Sequence, residues 1–135
     1  DQALIRFGMP MGPIELCDQI GLDVCFDVGQ VLGMSDIASQ ALKTKVDAGQ
    51  LGRKSGSGFY KWDDKKAMRP RSDYPPAELD KIAEDLLAPM IEKCRSAVAD
   101  GIVDSADDAD IGCILGTGFP TYRGGPLGWA DYPRV

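Results

Sequence analysis

The sequence predicts an all-α fold of two tandem, related helical repeats packed together, with a short glycine-rich and aromatic turn between them. Three observations point there. Apolar residues recur at spacings of three and four through most of the chain, the period of one helix face. A Pro/Gly-Pro device occurs twice, in Gly8-Met9-Pro10-Met11-Gly12-Pro13 and from Gly118-Phe119-Pro120 to Gly124-Gly125-Pro126. Pro10 answers to Pro120, Gly12-Pro13 to Gly125-Pro126 and Asp18 to Asp131, with three extra residues in the second loop. Matched special residues of this kind are the mark of an internal repeat. The third observation is that the stretch from Leu51 to Trp62, rich in glycine and aromatics, is different in kind from the helical segments before it. The expected organisation is a first repeat over 1–62, a linker over 63–76 and a second repeat over 77–135.

Each element follows from local chemistry. Ala3, Leu4, Ile5 and Phe7 read as the last turns of a helix that stops at Gly8. Because the chain starts at Asp1 and reads at once as the end of a helix, a piece of a longer polypeptide is expected. Pro13 has φ pre-set near the helical value and no N–H to satisfy, which suits a first helical turn. Glu15 then sits favourably against the positive end of the helix dipole. Ile14, Leu16, Cys17 and Ile20 form the expected apolar face of that helix, with Glu15 and Asp18 as first-turn and surface charges. Gly21 breaks the pattern, and Leu22, Cys25, Phe26 and Val31 or Leu32 resume it to Gly33. Ser35 is a good N-cap for a third helix with apolar positions at Ile37, Ala38, Ala41, Leu42 and Val46.

Leu51-Gly52-Arg53-Lys54-Ser55-Gly56-Ser57-Gly58-Phe59-Tyr60-Lys61-Trp62 is different in kind. The Walker pattern fails because Arg53 stands where Gly must precede Lys-Ser, and the dinucleotide fingerprint lacks its third glycine. Two readings stay open: a glycine turn that folds Phe59, Tyr60 and Trp62 back onto the helices, or an anion contact through Arg53 and Lys54. From Asp63 to Pro76 charge and proline predict an exposed, partly extended linker. Beyond it, Leu79, Ile82, Ala83, Leu86, Leu87, Met90, Ile91, Cys94, Ala97 and Val98 predict a long helix over 77–100, kinked before Pro89. Ser105 or Asp104 caps the next helix, Ala106 to Leu115, with Ala109, Cys113 and Ile114 facing the core.

Composition sets the outer bounds. With 135 residues the chain can bury a sizeable core. A net charge of −6 argues against nucleic acid or an anionic membrane as the main partner. No apolar run approaches the roughly 20 residues of a membrane span, and no signal-peptide pattern is visible. There is no histidine, the commonest general base, and no paired CxxC spacing, so neither a metal site nor a catalytic residue is expected. Cys17, Cys25, Cys94 and Cys113 sit among apolar neighbours and read as buried free thiols in a reducing compartment.

The segments FGMPMGPIELCDQIGLD (7–23) and LGRKSGSGFYKW (51–62) resemble the C-terminal helical domain of 3-hydroxyacyl-CoA dehydrogenases. GIVDSADDADIGCILGTGFP (101–120) and YRGGPLGWAD (122–131) resemble the second copy of that domain in multifunctional fatty-acid oxidation enzymes, which join an enoyl-CoA hydratase module to the dehydrogenase. The resemblance covers most of the chain outside 63–76. It implies that 1–62 is a first copy lacking its opening helix, and that 77–135 is a second copy lacking its C-terminal part. It further implies one wall of an acyl-CoA cleft, with Met11, Gly12 and Pro13 starting the nearest helix, although a helix start and nothing more reads equally well there. It also implies a dimerisation-type contact.

In the family, hydride transfer to NAD is run by a His–Glu pair in an upstream nucleotide-binding domain. The isolated chain is therefore expected to bind no NAD and to be inactive by itself. Its partners would be that upstream domain, an acyl-CoA in the full enzyme, and a second copy of itself. Its place would be intracellular, in a bacterial cytoplasm or alternatively a mitochondrion or peroxisome. The alternative function is a self-standing helical interaction module that shares the fold. Acyl-chain length preference and the presence of a hydratase module are not written in these residues.

Overall fold

The computed structural model describes residues 1–70 and 73–132. Helices dominate: α1 (Gln2–Phe7), α2 (Pro13–Ile20), α3 (Leu22–Leu32), α4 (Asp36–Asp47), α5 (Pro76–Ala99), α6 (Ala106–Thr117) and α7 (Gly125–Asp131). Single 3₁₀ turns lie at Arg53–Ser55 and Thr121–Arg123, and a small hairpin pairs β1 (Lys61–Asp63) with β2 (Lys66–Met68). The all-α class expected from periodicity therefore holds, with that one hairpin added. The chain divides into two compact units, one of Asp1 with Met11–Ser72 and one of Gln2–Pro10 with Asp73–Val135.

The helix boundaries follow the punctuation of the sequence. Gly21 (φ +112) separates α2 from α3, and Gly33 (φ +77) ends α3 in the left-handed conformation that glycine adopts without penalty. Ser35 Oγ accepts from the Ala38 amide to start α4. For α6 the cap is Ser105 rather than Asp104, with Ser105 Oγ accepting from the Asp108 amide at 3.1 Å. The long helix α5 stays helical across Pro89.

The second unit holds the larger core. Ala83, Leu87, Ile91 and Cys94 line one face of α5 and are buried with Ala3, Leu4 and Phe7 of α1, Ala109 of α6, Phe119 and Leu127. Phe7 meets Phe119 (5.5 Å) and Trp129 (4.9 Å) edge to face, the arrangement their ring quadrupoles favour. The apolar face of α1 at Ala3, Leu4 and Phe7 is thus covered by α5.

The first unit departs from expectation in three places. Residues 63–68, read as linker, belong to the hairpin; Trp62 and Ala67 pair across it and both point inward, while their neighbours point out. Two inward residues are too few to register as an alternating strand pattern. The stripe on α4 narrows to Leu42 with Ala38 and Val46 half-buried one turn to either side, since Ile37 is 86 % exposed and Ala41 is exposed as well. Helix α2 is inverted: Glu15 and Asp18 are buried, and Ile14, Leu16 and Ile20 are 38–51 % exposed.

Packing of the α5 face makes a direct prediction. Leu87→Ala should destabilise the protein by about 2–5 kcal/mol, whereas Leu115→Ala should change stability by under about 0.5 kcal/mol. Leu87 is 4 % exposed and Leu115 is 81 % exposed. Urea unfolding of both variants measures the contrast.

Candidate functional site

Helix α2 begins at Gly12-Pro13, where Gly12 has no side chain with which to cap the free N–H groups of the first turn. The acceptor comes from elsewhere. The Asp1 carboxylate accepts from the Ile14 amide at 2.8 Å and the Glu15 amide at 2.9 Å, and Tyr60 Oη donates to it at 2.8 Å. A negative charge at this end of a helix is also stabilised by the dipole. Gly12 itself has φ −82 and ψ 158, extended backbone open to any residue. Glycine is needed there for a different reason, because a Cβ would collide with the Asp1 side chain.

Deeper in the same unit lies Asp18, with no exposed surface. Its carboxylate accepts from the Phe59 amide (2.9 Å), the Tyr60 amide (2.8 Å) and Trp62 Nε1 (3.0 Å). These three bonds satisfy the anion and lock the glycine loop and the first strand onto α2. Two loop glycines are explained by this contact. A Cβ on Gly58 would strike the Asp18 carboxylate, and one on Gly52 (φ +90) would strike the Asp18 backbone. Glu15, 5 % exposed, pairs with Arg69 beyond β2 at 2.6 Å. Burial, and then the nearby Glu15 charge, push the Tyr60 phenol above its ordinary value, so it stays a donor to Asp1.

The second unit repeats the remote cap. Asp110 of α6, 6 % exposed, accepts from the Leu127 amide (2.7 Å) and the Gly128 amide (2.8 Å) at the start of α7. Gly125 has φ +91, and a Cβ there would collide with Asp110. The carbonyl of Phe7, at the end of α1, accepts from Tyr122 Oη (3.0 Å) and Arg123 Nε (2.8 Å), and the Arg123 guanidinium lies 4.1 Å from the Phe7 ring centroid.

The residues singled out in the sequence fall around the first of these webs. Met11 is half-buried, Gly12 buried and Pro13 exposed, all at the α2 start. That helix end is occupied by Asp1. Lys54 pairs with Asp23 at 2.6 Å, and Arg53 donates to Gln19 Oε1 at 3.4 Å. Glu15 and Asp18 are not the surface charges expected: both are buried and bonded to the loop and hairpin. Sequence reading missed Asp1, Asp18 and Asp110 as anchors. The one available signal was a Gly-Pro helix start, which calls for an acceptor brought from outside the helix. Burial pushes the thiol of Cys17 up to about 11, with Cys25 adding to it, and the thiol of Cys113 up to about 11, with Cys94 Sγ 3.5 Å away. At neutral pH such thiols stay protonated and are poor nucleophiles.

The web of Asp1, Asp18, Tyr60 and Trp62 ties the Gly-Pro turn to the glycine-aromatic loop. Both motifs lie within residues 1–62, which match the family model of the 3-hydroxyacyl-CoA dehydrogenase C-terminal domain. Residues 1–62 belong to this family. Over 97 % of its length the chain is also similar to curated relatives named fatty acid oxidation complex subunit alpha. It is 36 % identical to the one from Vibrio vulnificus, 36 % to that of Pseudomonas syringae pv. syringae and 34 % to that of Idiomarina loihiensis. It spans about a fifth of the length of those relatives, 20–21 %. The conspicuous sequence motifs are therefore the two ends of one hydrogen-bonded web.

Removing the central acceptor of that web tests its weight. Asp18→Ala leaves three buried donors unsatisfied and should cost about 3–5 kcal/mol. Asp18→Asn keeps one acceptor oxygen but turns an NH₂ toward a donor, so its loss should be smaller yet clear. Denaturant unfolding, followed by circular dichroism, gives both values.

Proposed function

We propose that this chain is the C-terminal helical part of an NAD-dependent 3-hydroxyacyl-CoA dehydrogenase of fatty-acid β-oxidation. In this reading it supplies one wall of the acyl-CoA cleft and a dimerisation-type contact, while hydride transfer is run by an upstream nucleotide-binding domain of the same polypeptide. The family match over 1–62 and the names of the relatives support the assignment. The observation that carries the wall role is the inversion of α2, which buries its acids and turns Ile14, Leu16 and Ile20 outward. Helix α3 adds Val24, Val28, Val31 and Leu32 at 43–85 % exposure. Apolar residues presented in such number are a surface for a partner. Met11, Gly12 and Pro13 stand at the start of the same helix, which supports their place at the cleft. Arg53 and Lys54 remain the proposed anion contact of the loop.

The two-copy organisation belongs to the same proposal, with 1–62 and 77–135 as copies joined by 63–76. Its support is local geometry. In each copy a Gly-Pro starts a helix whose next two amides are held by an aspartate from an earlier segment, Asp1 for Ile14 and Glu15, Asp110 for Leu127 and Gly128. The relatives named above are bacterial, which supports a bacterial, intracellular setting. Among the described residues no helix is long and apolar enough to cross a membrane.

The purified chain should neither bind NAD in calorimetry nor reduce acetoacetyl-CoA. Mixed with a separately produced nucleotide-binding domain of a 3-hydroxyacyl-CoA dehydrogenase, it should raise NADH consumption with acetoacetyl-CoA, and Leu16→Glu should abolish that gain. Turnover that follows the chain alone through purification would overturn the division of labour.

Self-association is the other expected outcome. Sedimentation equilibrium should show a species larger than the monomer, shifted toward monomer by Val28→Glu. A clean monomer at high concentration would count against the contact.

A further inference from the structure

Charge is segregated along this chain. From Arg53 to Arg69 there are six Lys or Arg residues against two acids, Asp63 and Asp64, a local charge of +4 in a chain whose net charge is −6. Most other cations are spoken for: Lys54 is paired with Asp23, Lys43 with Asp47, Lys81 with Asp85, Arg6 with Asp80 and Arg95 with Asp131. Three on the hairpin are not. Lys61, Lys65 and Lys66 are exposed and have no ion-pair partner among the described residues.

The hairpin register gathers these three. Lys61 stands opposite Met68 and Lys66 opposite Asp63, so Lys61 and Lys66 are diagonal neighbours on the outward face. Diagonal side chains of an antiparallel pair start about 7–8 Å apart. Lys65 follows at the turn. Together with Arg69 they line a groove of about 780 Å³, with Ala67, Met68 and Pro70 as its apolar part and Glu15 as its one acid. Glu15 is already paired with Arg69, and Asp63 on the outward face and Asp64 beside Lys65 at the turn leave the three lysines in excess by one charge. Ammonium groups held this close repel one another, and an anion with several oxygens relieves that repulsion while accepting from each.

We propose that this groove binds a small ligand carrying two or more linked phosphate groups, the outer one unesterified, which NAD does not offer. A diphosphate carries more charge and more acceptor oxygens than a single phosphate, enough to serve three lysines at once. A long polyanion fits poorly, because outside Arg53–Arg69 the chain carries a net −10, the difference between −6 and +4. The inference is independent of the dehydrogenase reading, since it rests on the hairpin alone.

The test is calorimetric titration of the full chain with sodium tripolyphosphate at about 50 mM salt, where screening is modest. One saturable site is expected. Lys61→Gln and Lys66→Gln should each weaken binding by about fivefold or more, as loss of one phosphate contact does, and the triple Lys61, Lys65, Lys66→Gln variant should abolish it. Lys93→Gln, an exposed lysine of α5, should bind as the parent does. Replacing the three lysines by arginine should retain affinity, which separates lost charge from lost folding. Pyrophosphate and ADP distinguish the source: equal affinities mean the phosphates alone are read, and tighter ADP means a base rests on Met68 and Pro70. Absence of a saturable site, an equal loss in Lys93→Gln, or much tighter binding of an oligonucleotide of about 20 residues would each overturn the proposal.

Discussion

The first unit is held by one buried anion. Asp18 gives nothing to solvent, and two backbone amides with an indole N–H converge on its carboxylate from a loop forty residues further on. A buried carboxylate without donors would be prohibitively expensive; with three it becomes a fixed point that the loop must meet. The glycines at 52 and 58 exist in the space that this meeting leaves, and the inward turn of Trp62 follows from it. Once α2 must face the loop with its acids, its apolar residues have only one other side on which to lie.

That chain of causes explains what could be read from the sequence and what could not. Helix ends were legible because Gly8, Gly21 and Gly33 carry positive φ and Ser35 and Ser105 carry cap bonds, all short-range chemistry. The stripe on α5 was legible because a long helix over an apolar core repeats its period many times. The face of α2 was not. Periodicity shows that two faces differ in polarity, and it is silent on which one meets the protein when the neighbour is a ring of polar donors. Glu15 found Arg69 and Asp18 found Trp62 across more than forty residues, beyond any local signal. The hairpin escaped because three-residue strands with two inward side chains leave no pattern to count.

The two Gly-Pro turns show that one sequence motif can rest on two different reasons for glycine. Their likeness was plain in sequence, yet the reason for glycine differs between them. Gly12 has ordinary extended backbone and is small to admit Asp1, whereas Gly125 also needs positive φ beside Asp110. In both, proline fixes the first turn and leaves the capping task to a side chain from a separate segment. The motif is half of a contact, and the aspartate that completes it carries no mark in the sequence.

The placement of α1 has a kinetic consequence. Its core residues Ala3, Leu4 and Phe7 pack with α5, α7 and Phe119, and its last carbonyl is held by Tyr122 and Arg123 more than a hundred positions away. Contacts of such sequence separation close a long loop before they repay its entropy, which slows folding. During synthesis α1 therefore emerges ahead of α5 and α7, and its apolar face stays open until they follow. Over that interval α1 is a segment for a chaperone to shield, although in the finished protein it is among the best covered of all.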